Sequence, residues 1–192
     1  MENFDKLTKK NAQAFFEVYM ERKDAVLDGF RQSVEKNGGP SKDELNFSSE
    51  SLIPLWMWLW PKLELCENHP DIADRPIWYD FQITNNPHCN TPLTKDTVRW
   101  IDGLAYYFGE TVIRNIPNVY WTVCSDKNAF HYNKPVLSGN IFAYPLHNMI
   151  ICALQAIDKS PINSDKRLLE VLEILINDAR KYLEEPGESK CI

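Results

Sequence analysis

The chain has 192 residues, 44% of them apolar and 25% charged, a balance that suits one globular domain with a real core and excludes a disordered chain. A formal charge of −6 with no Lys/Arg cluster argues against general nucleic-acid binding, which needs a basic face for phosphates. Met1-Glu2-Asn3-Phe4-Asp5 lacks the parts of a signal peptide, and no window approaches the roughly 20 apolar residues of a membrane span. Five Cys without repeated spacing fit reduced thiols, so the expectation is a cytoplasmic protein without a membrane segment.

In chain order, residues 1–40 read as a helical region. Phe4 to about Val34 predicts one long or two broken helices with Phe15, Phe16, Tyr19, Val26, Leu27 and Phe30 on the apolar side, ended by Gly38-Gly39-Pro40. Residues 41–192 read as helices plus a small sheet. Leu45-Asn46-Phe47 is short and extended, and Ser48 is a good N-cap for a helix through Leu52, Leu55, Trp56 and Leu59, which Pro61 bends or ends. Residues 64 to 93 read as loops around one short extended or helical piece, Ile77 to Ile83.

Next comes a long helix. Thr94 caps it, Asp96 suits the positive end of its dipole, Pro117 stops it, and Val98, Ile101, Leu104, Ala105, Phe108 and Val112 recur at i, i+3, i+4 spacing. Trp100, Gly103, Tyr107, Glu110 and Arg114 share a neighbouring face, where Glu110 can pair with Arg114 one turn on. Val119, Trp121 and Val123 alternate with Tyr120, Thr122 and Cys124 as in a half-buried strand; a second strand is expected at Phe130 to Tyr132 and an edge strand at Pro135-Val136-Leu137. Pro145 opens a helix carrying Leu146, Met149, Ile150, Ala153, Leu154 and Ile157, and Asn163, Ser164 or Asp165 caps a last helix expected to bury Leu168, Leu169, Val171, Leu172, Leu175, Ile176 and Ala179. The expected fold is α+β, mainly α: a single helical domain with a small antiparallel β-sheet, a hairpin, inserted in the second half.

Three short motifs stand in order: Asn46-Phe47-Ser48-Ser49-Glu50-Ser51-Leu52, then Tyr106-Tyr107-Phe108-Gly109-Glu110, then Trp121. Over roughly residues 44 to 155 the chain resembles a broad group of small, mostly uncharacterised bacterial proteins. These have a D-[YF]-S-x-x-S-L helix start, a G-A-Y-[LF]-G-E helix, a Trp strand and a Pro-opened helix. Asn46 replaces the usual Asp, Ser49 the common Pro, and Ala105-Tyr106-Tyr107 the Gly-Ala-Tyr. Some proteins of this look resemble immunity proteins encoded beside secreted bacterial toxins, so the resemblance implies a partner protein, a toxin encoded nearby. Physically, Tyr107, Gly109, Glu110 and Trp121 read as scaffold: Gly109 permits close packing of helix and strand, and Glu110 can accept hydrogen bonds from backbone, Trp121 or a Tyr hydroxyl.

Competing chemistry is thin. Cys66, His69, His88 and Cys89 are zinc-type ligands at poor spacing, so neither metal nor cofactor is expected. Cys124 and His131 would form a nucleophilic pair if the hairpin sets their strands side by side, and Glu110 with Asp102 and Asp96 is an imaginable acid set at spacings that do not guarantee one pocket. No phosphate loop, serine elbow or metalloprotease motif is present. Leu55 to Trp60 is too apolar for a clean solvent face, and Trp58 and Trp60 lie beside Glu64, Glu67, Asp71 and Asp74. The expected function is therefore non-enzymatic protein binding through an acidic, aromatic-bearing face. A small hydrolase or transferase using Glu110 with Cys124 and His131, and a self-associating structural protein, are the alternatives.

Overall fold

A computed structural model describes residues 4–67, 76–79 and 92–184. Among them are six α-helices and one two-stranded antiparallel sheet: α1 (Lys9–Glu21), α2 (Lys23–Lys36), α3 (Leu52–Leu59), α4 (Lys95–Asn115), β1 (Val119–Val123), β2 (Pro135–Gly139), α5 (Pro145–Ile157) and α6 (Arg167–Glu184). The mainly helical α+β class with a hairpin in the second half is the architecture observed. Among the described residues no helix is long and apolar enough to cross a membrane.

α4 is the axle of the molecule, packed against α2, α5 and α6. Thr94 caps it, its hydroxyl accepting from the Thr97 N–H at 3.2 Å, and the stripe Val98, Ile101, Leu104, Ala105, Phe108 and Val112 is fully buried. Each large apolar side chain so buried contributes about 1.5–3 kcal/mol of transfer free energy. Two contacts set α2 antiparallel to α4: Lys23 meets Glu110, while Phe30 lies against Gly103. α1 and α2 are one path broken only at Arg22, which keeps right-handed helical angles.

α3 starts at Leu52, later than a Ser48 cap implies, because Ser48 closes a turn in front of it, its hydroxyl accepting from Ser51 N at 3.3 Å. Leu45-Asn46-Phe47 is not an extended run: Asn46 and Phe47 bend, and Phe47 sits at φ 63°. The α-helix ends at Leu59 and continues as one 3-10 turn over Trp60–Lys62, where Pro61 lacks the N–H to propagate it. Trp56 is wholly buried, and its indole N–H reaches Asn163 Oδ1 at 3.2 Å and Ser164 O at 3.1 Å, tying α3 to the α5–α6 turn.

The hairpin corrects one expectation. β1 pairs directly with β2, Trp121 opposite Leu137, so the second strand is the segment expected at the edge, extended to Gly139. Phe130 to Tyr132 lies in turns, because the long connection folds back to hold the amino terminus. There the buried Asn133 side chain donates to Phe4 O at 3.0 Å and Leu7 O at 2.9 Å. Gly139 closes β2 at φ 120°, with Asn118 O where a Cβ would stand, so only glycine fits.

α5 opens on Pro145 as the first-turn proline signals, and buries Leu146, Met149, Ile150, Cys152, Ala153 and Ala156. α6 starts at Arg167, after Ser164 has accepted from the Lys166 N–H at 3.2 Å. It buries Leu168, Leu172, Leu175 and Ala179 at helical spacing, while Leu169, Val171 and Ile176, expected in the core, flank that stripe and are only half-buried.

Candidate functional site

The first two motifs meet although about sixty residues separate them, because α2 and the Asn46–Ser51 turn are both laid along α4. Phe47 N–H donates to the Tyr107 hydroxyl at 3.1 Å, and Ser51 Oγ lies 2.7 Å from the same hydroxyl. Ser51 spends its own proton on Ser48 O at 2.6 Å, so Tyr107 must be the donor to Ser51. The result is a directed relay: Phe47 N–H, Tyr107 O–H, Ser51 O–H, Ser48 carbonyl. Burial raises the Tyr107 pKa, so the phenol stays protonated and the relay stays intact. The Phe47 ring stacks on Tyr107 at 4.8 Å, with the Arg114 guanidinium 4.0 Å and the Arg31 guanidinium 5.2 Å from its centroid.

One turn along α4, Gly109 and Glu110 receive the Trp strand. A Cβ at Gly109 would lie 2.2 Å from Trp121 Cζ2, so glycine is what lets the indole lie on the helix. That indole donates to Glu110 Oε1 at 3.1 Å, and Lys23 Nζ reaches the same oxygen at 2.9 Å. The Glu110 side chain is 16% exposed and the Lys23 side chain 21%, so the pair is partly desolvated and doubly hydrogen-bonded. The expected Glu110–Arg114 pair does not form, because Arg114 turns instead to Asn46 O at 3.1 Å and to the Phe47 ring. Glu110 and Arg114 both border an open polar groove of about 300 Å³ with Lys23, Arg31 and Phe47.

The sequence reading names Asp102 only as one of an acid set and misses that it is the more deeply buried carboxylate. Asp102, 5% exposed, takes the Trp78 indole N–H on Oδ1 at 2.6 Å and Arg22 Nη2 on Oδ2 at 3.4 Å. Burial raises its pKa against the opposing pull of Trp78 and Arg22. A signal existed: Asp102 stands four residues after Val98 and three before Ala105, inside the apolar stripe, where a carboxylate needs donors supplied from elsewhere. Asp102 and Asp96 border a cleft of about 340 Å³ between α2 and α4, whereas Glu110 borders the other groove, so the three acids do not share one pocket.

The Cys124–His131 juxtaposition depended on a strand that is not formed. Cys124 is buried, its backbone paired with Lys134 and Asn133. The His131 imidazole lies among the rings of Phe130, Phe142, Tyr144 and His147, where burial pushes its pKa down to about 4. His147, in the first turn of α5, is lowered too, by burial and then by Lys134. Cys66 is half-buried; His69, His88 and Cys89 lie outside the described residues, and among those described no three His, Cys, Asp or Glu are grouped as metal ligands.

The aromatic, acidic face is partly in view, with Asp71 and Asp74 lying outside the described residues. Trp58 and Trp60 are half-buried and pack on the core edge. The Trp58 indole N–H donates to Asn37 O at 3.3 Å, its ring meets Trp100 edge-on at 5.2 Å, and Lys62 Nζ stands 5.0 Å over it. Close to this pair in sequence, Met57 is 49% and Leu65 42% exposed, and Glu64 and Glu67 are exposed. Compared with family models, with curated proteins and with solved structures, the chain matches none.

Proposed function

We propose that this chain is a non-enzymatic protein-binding protein of the immunity type, engaging a partner protein, a toxin encoded beside it, through the face at the end of α3. One observation carries the reading. Between Met57 and Glu67 the chain carries exposed Met57 and Leu65, half-buried Trp58 and Trp60, and exposed Glu64 and Glu67. Tryptophan anchors with a charged rim are the composition of binding hot spots, and Glu64 and Glu67 suit basic groups on a partner, with Lys62 adding a positive charge over Trp58. Trp58 is already held by Asn37, Trp100 and Lys62, so little side-chain entropy is lost when a partner covers it.

What speaks against turnover is the state of the candidate groups. Glu110 is occupied by Lys23 and Trp121, and the hydrolase alternative loses the strand that would have set His131 beside Cys124. Self-association through the same aromatic face predicts a dimer, which sedimentation at working concentration reads directly.

The test is binding of the purified product of the adjacent gene. A stable complex that Trp58→Ala weakens supports the reading; no association of the two purified proteins removes it.

A further inference from the structure

We infer that the cleft between α2 and α4 is a binding site for a small organic monocarboxylate with a flat apolar body. The inference does not depend on the protein-binding reading. The cleft, about 340 Å³, falls in the size range of small-molecule sites, with apolar walls from Val26, Phe30 and Trp100 and a few polar groups between them.

Its charges are unequally committed. Asp102 is satisfied by Trp78 and by Arg22 Nη2. The other guanidinium nitrogen of Arg22, Nη1, is buried and has no hydrogen-bond partner among the described residues. Arg99, on α4 and also lining the cleft, is exposed and makes no ion pair among the described residues. Two guanidinium groups with N–H donors to spare suit one carboxylate, the partner whose two oxygens match their fork geometry. Asp96, a further lining residue, offsets part of the positive charge of the cleft, which disfavours the higher charge of phosphates and diacids.

The two glycines of the cleft separate packing from access. At Gly103 a Cβ would strike the Phe30 ring at 2.3 Å, so that glycine seats the ring as a wall. At Gly29 a Cβ meets nothing within 4 Å, so packing does not require glycine there, although it weakens the interior of α2. The missing side chain leaves the cleft open.

Naphthoate is the probe, titrated by calorimetry and followed through the Trp100 indole N–H resonance. The expected result is saturable binding that shifts this resonance and is weakened at least about tenfold, or about 1.4 kcal/mol, in Arg99→Gln. Gly29→Leu, which fills the mouth, is expected to block it. Both substitutions are at exposed positions, so the test stands even if Arg22→Gln, which strips a partner from Asp102, fails to fold. No binding, equal binding of the uncharged naphthylmethanol, or wild-type affinity in either variant overturns the inference.

Discussion

Replacing Gly109 with alanine adds one methyl group, and the structure fixes what it meets. The new Cβ would lie 2.2 Å from Trp121 Cζ2 and 2.8 Å from Cη2, so the indole must retreat by about 1.5 Å to reach ordinary carbon–carbon contact. The ring is not free to do so. Its N–H is bonded to Glu110, and its faces and edges meet Tyr19 at 5.9 Å and Tyr106 at 6.3 Å between centroids. Overpacking of this kind costs about 1–3 kcal/mol, and disturbing a hydrogen bond to a carboxylate adds to it. Against this, alanine is better than glycine inside a helix by about 1 kcal/mol. The net expectation is a loss of about 2 kcal/mol, or about 4–8 °C in Tm for a chain of this size. Gly29→Ala is the matched control, since nothing lies within 4 Å of its Cβ and only the helix gain remains, about 0.5–1 kcal/mol of stabilisation. Guanidinium denaturation followed by far-ultraviolet circular dichroism reads both. If the two variants agree within about 0.5 kcal/mol, the account of how strand and helix are joined is wrong.

Other perturbations read the remaining parts. Tyr107→Phe removes the hydroxyl that takes the Phe47 N–H and donates to Ser51, leaving a buried N–H unpaired; a loss of about 1–3 kcal/mol is expected in the same denaturation assay. Asp102→Leu removes the acceptor of both Trp78 and Arg22, and hydrogen exchange at the Trp78 indole is expected to accelerate, whereas unchanged protection would contradict the assignment. His131 is held down to about 4 from 6.5, so between those values the unfolded chain binds the proton that the folded one refuses. Its contribution is therefore present above pH 6.5 and lost progressively as pH falls toward about 4. An imidazole titration near 6.5 by nuclear magnetic resonance would contradict it.

Local signals made the helices legible. Thr94, Pro117 and the buried stripe from Val98 to Val112 bracket α4, and Pro145 marks α5, because caps and periodicity act within a few residues. The Trp121 strand was legible from its alternation. Pro135-Val136-Leu137 was legible as a strand but not as its direct partner, because the Cys124 to Lys134 connection is shaped by distant contacts, Asn133 with Phe4 and Leu7, that periodicity does not carry. Of the candidate site, Tyr107, Gly109, Glu110 and Trp121 were legible as a cluster from spacing and residue type. Glu110 could be seen to need a donor, but Lys23 lies 87 residues away and Arg114 was the nearer choice by helical spacing. The strained Phe47 turn and the Asp102–Trp78 bond depend on tertiary approach in the same way. The exposure of Met57 and Leu65 required coordinates.

The most direct test of the account separates the Glu110 scaffold from the α3 face in one calorimetric series with the purified adjacent-gene product. Wild type, Glu110→Gln and the double variant Glu64→Lys, Glu67→Lys are compared after circular dichroism has shown each to be folded. The account predicts that Glu110→Gln binds like wild type while the charge reversal weakens binding at least about tenfold. Loss of binding in Glu110→Gln with no change in the charge-reversed protein would contradict it.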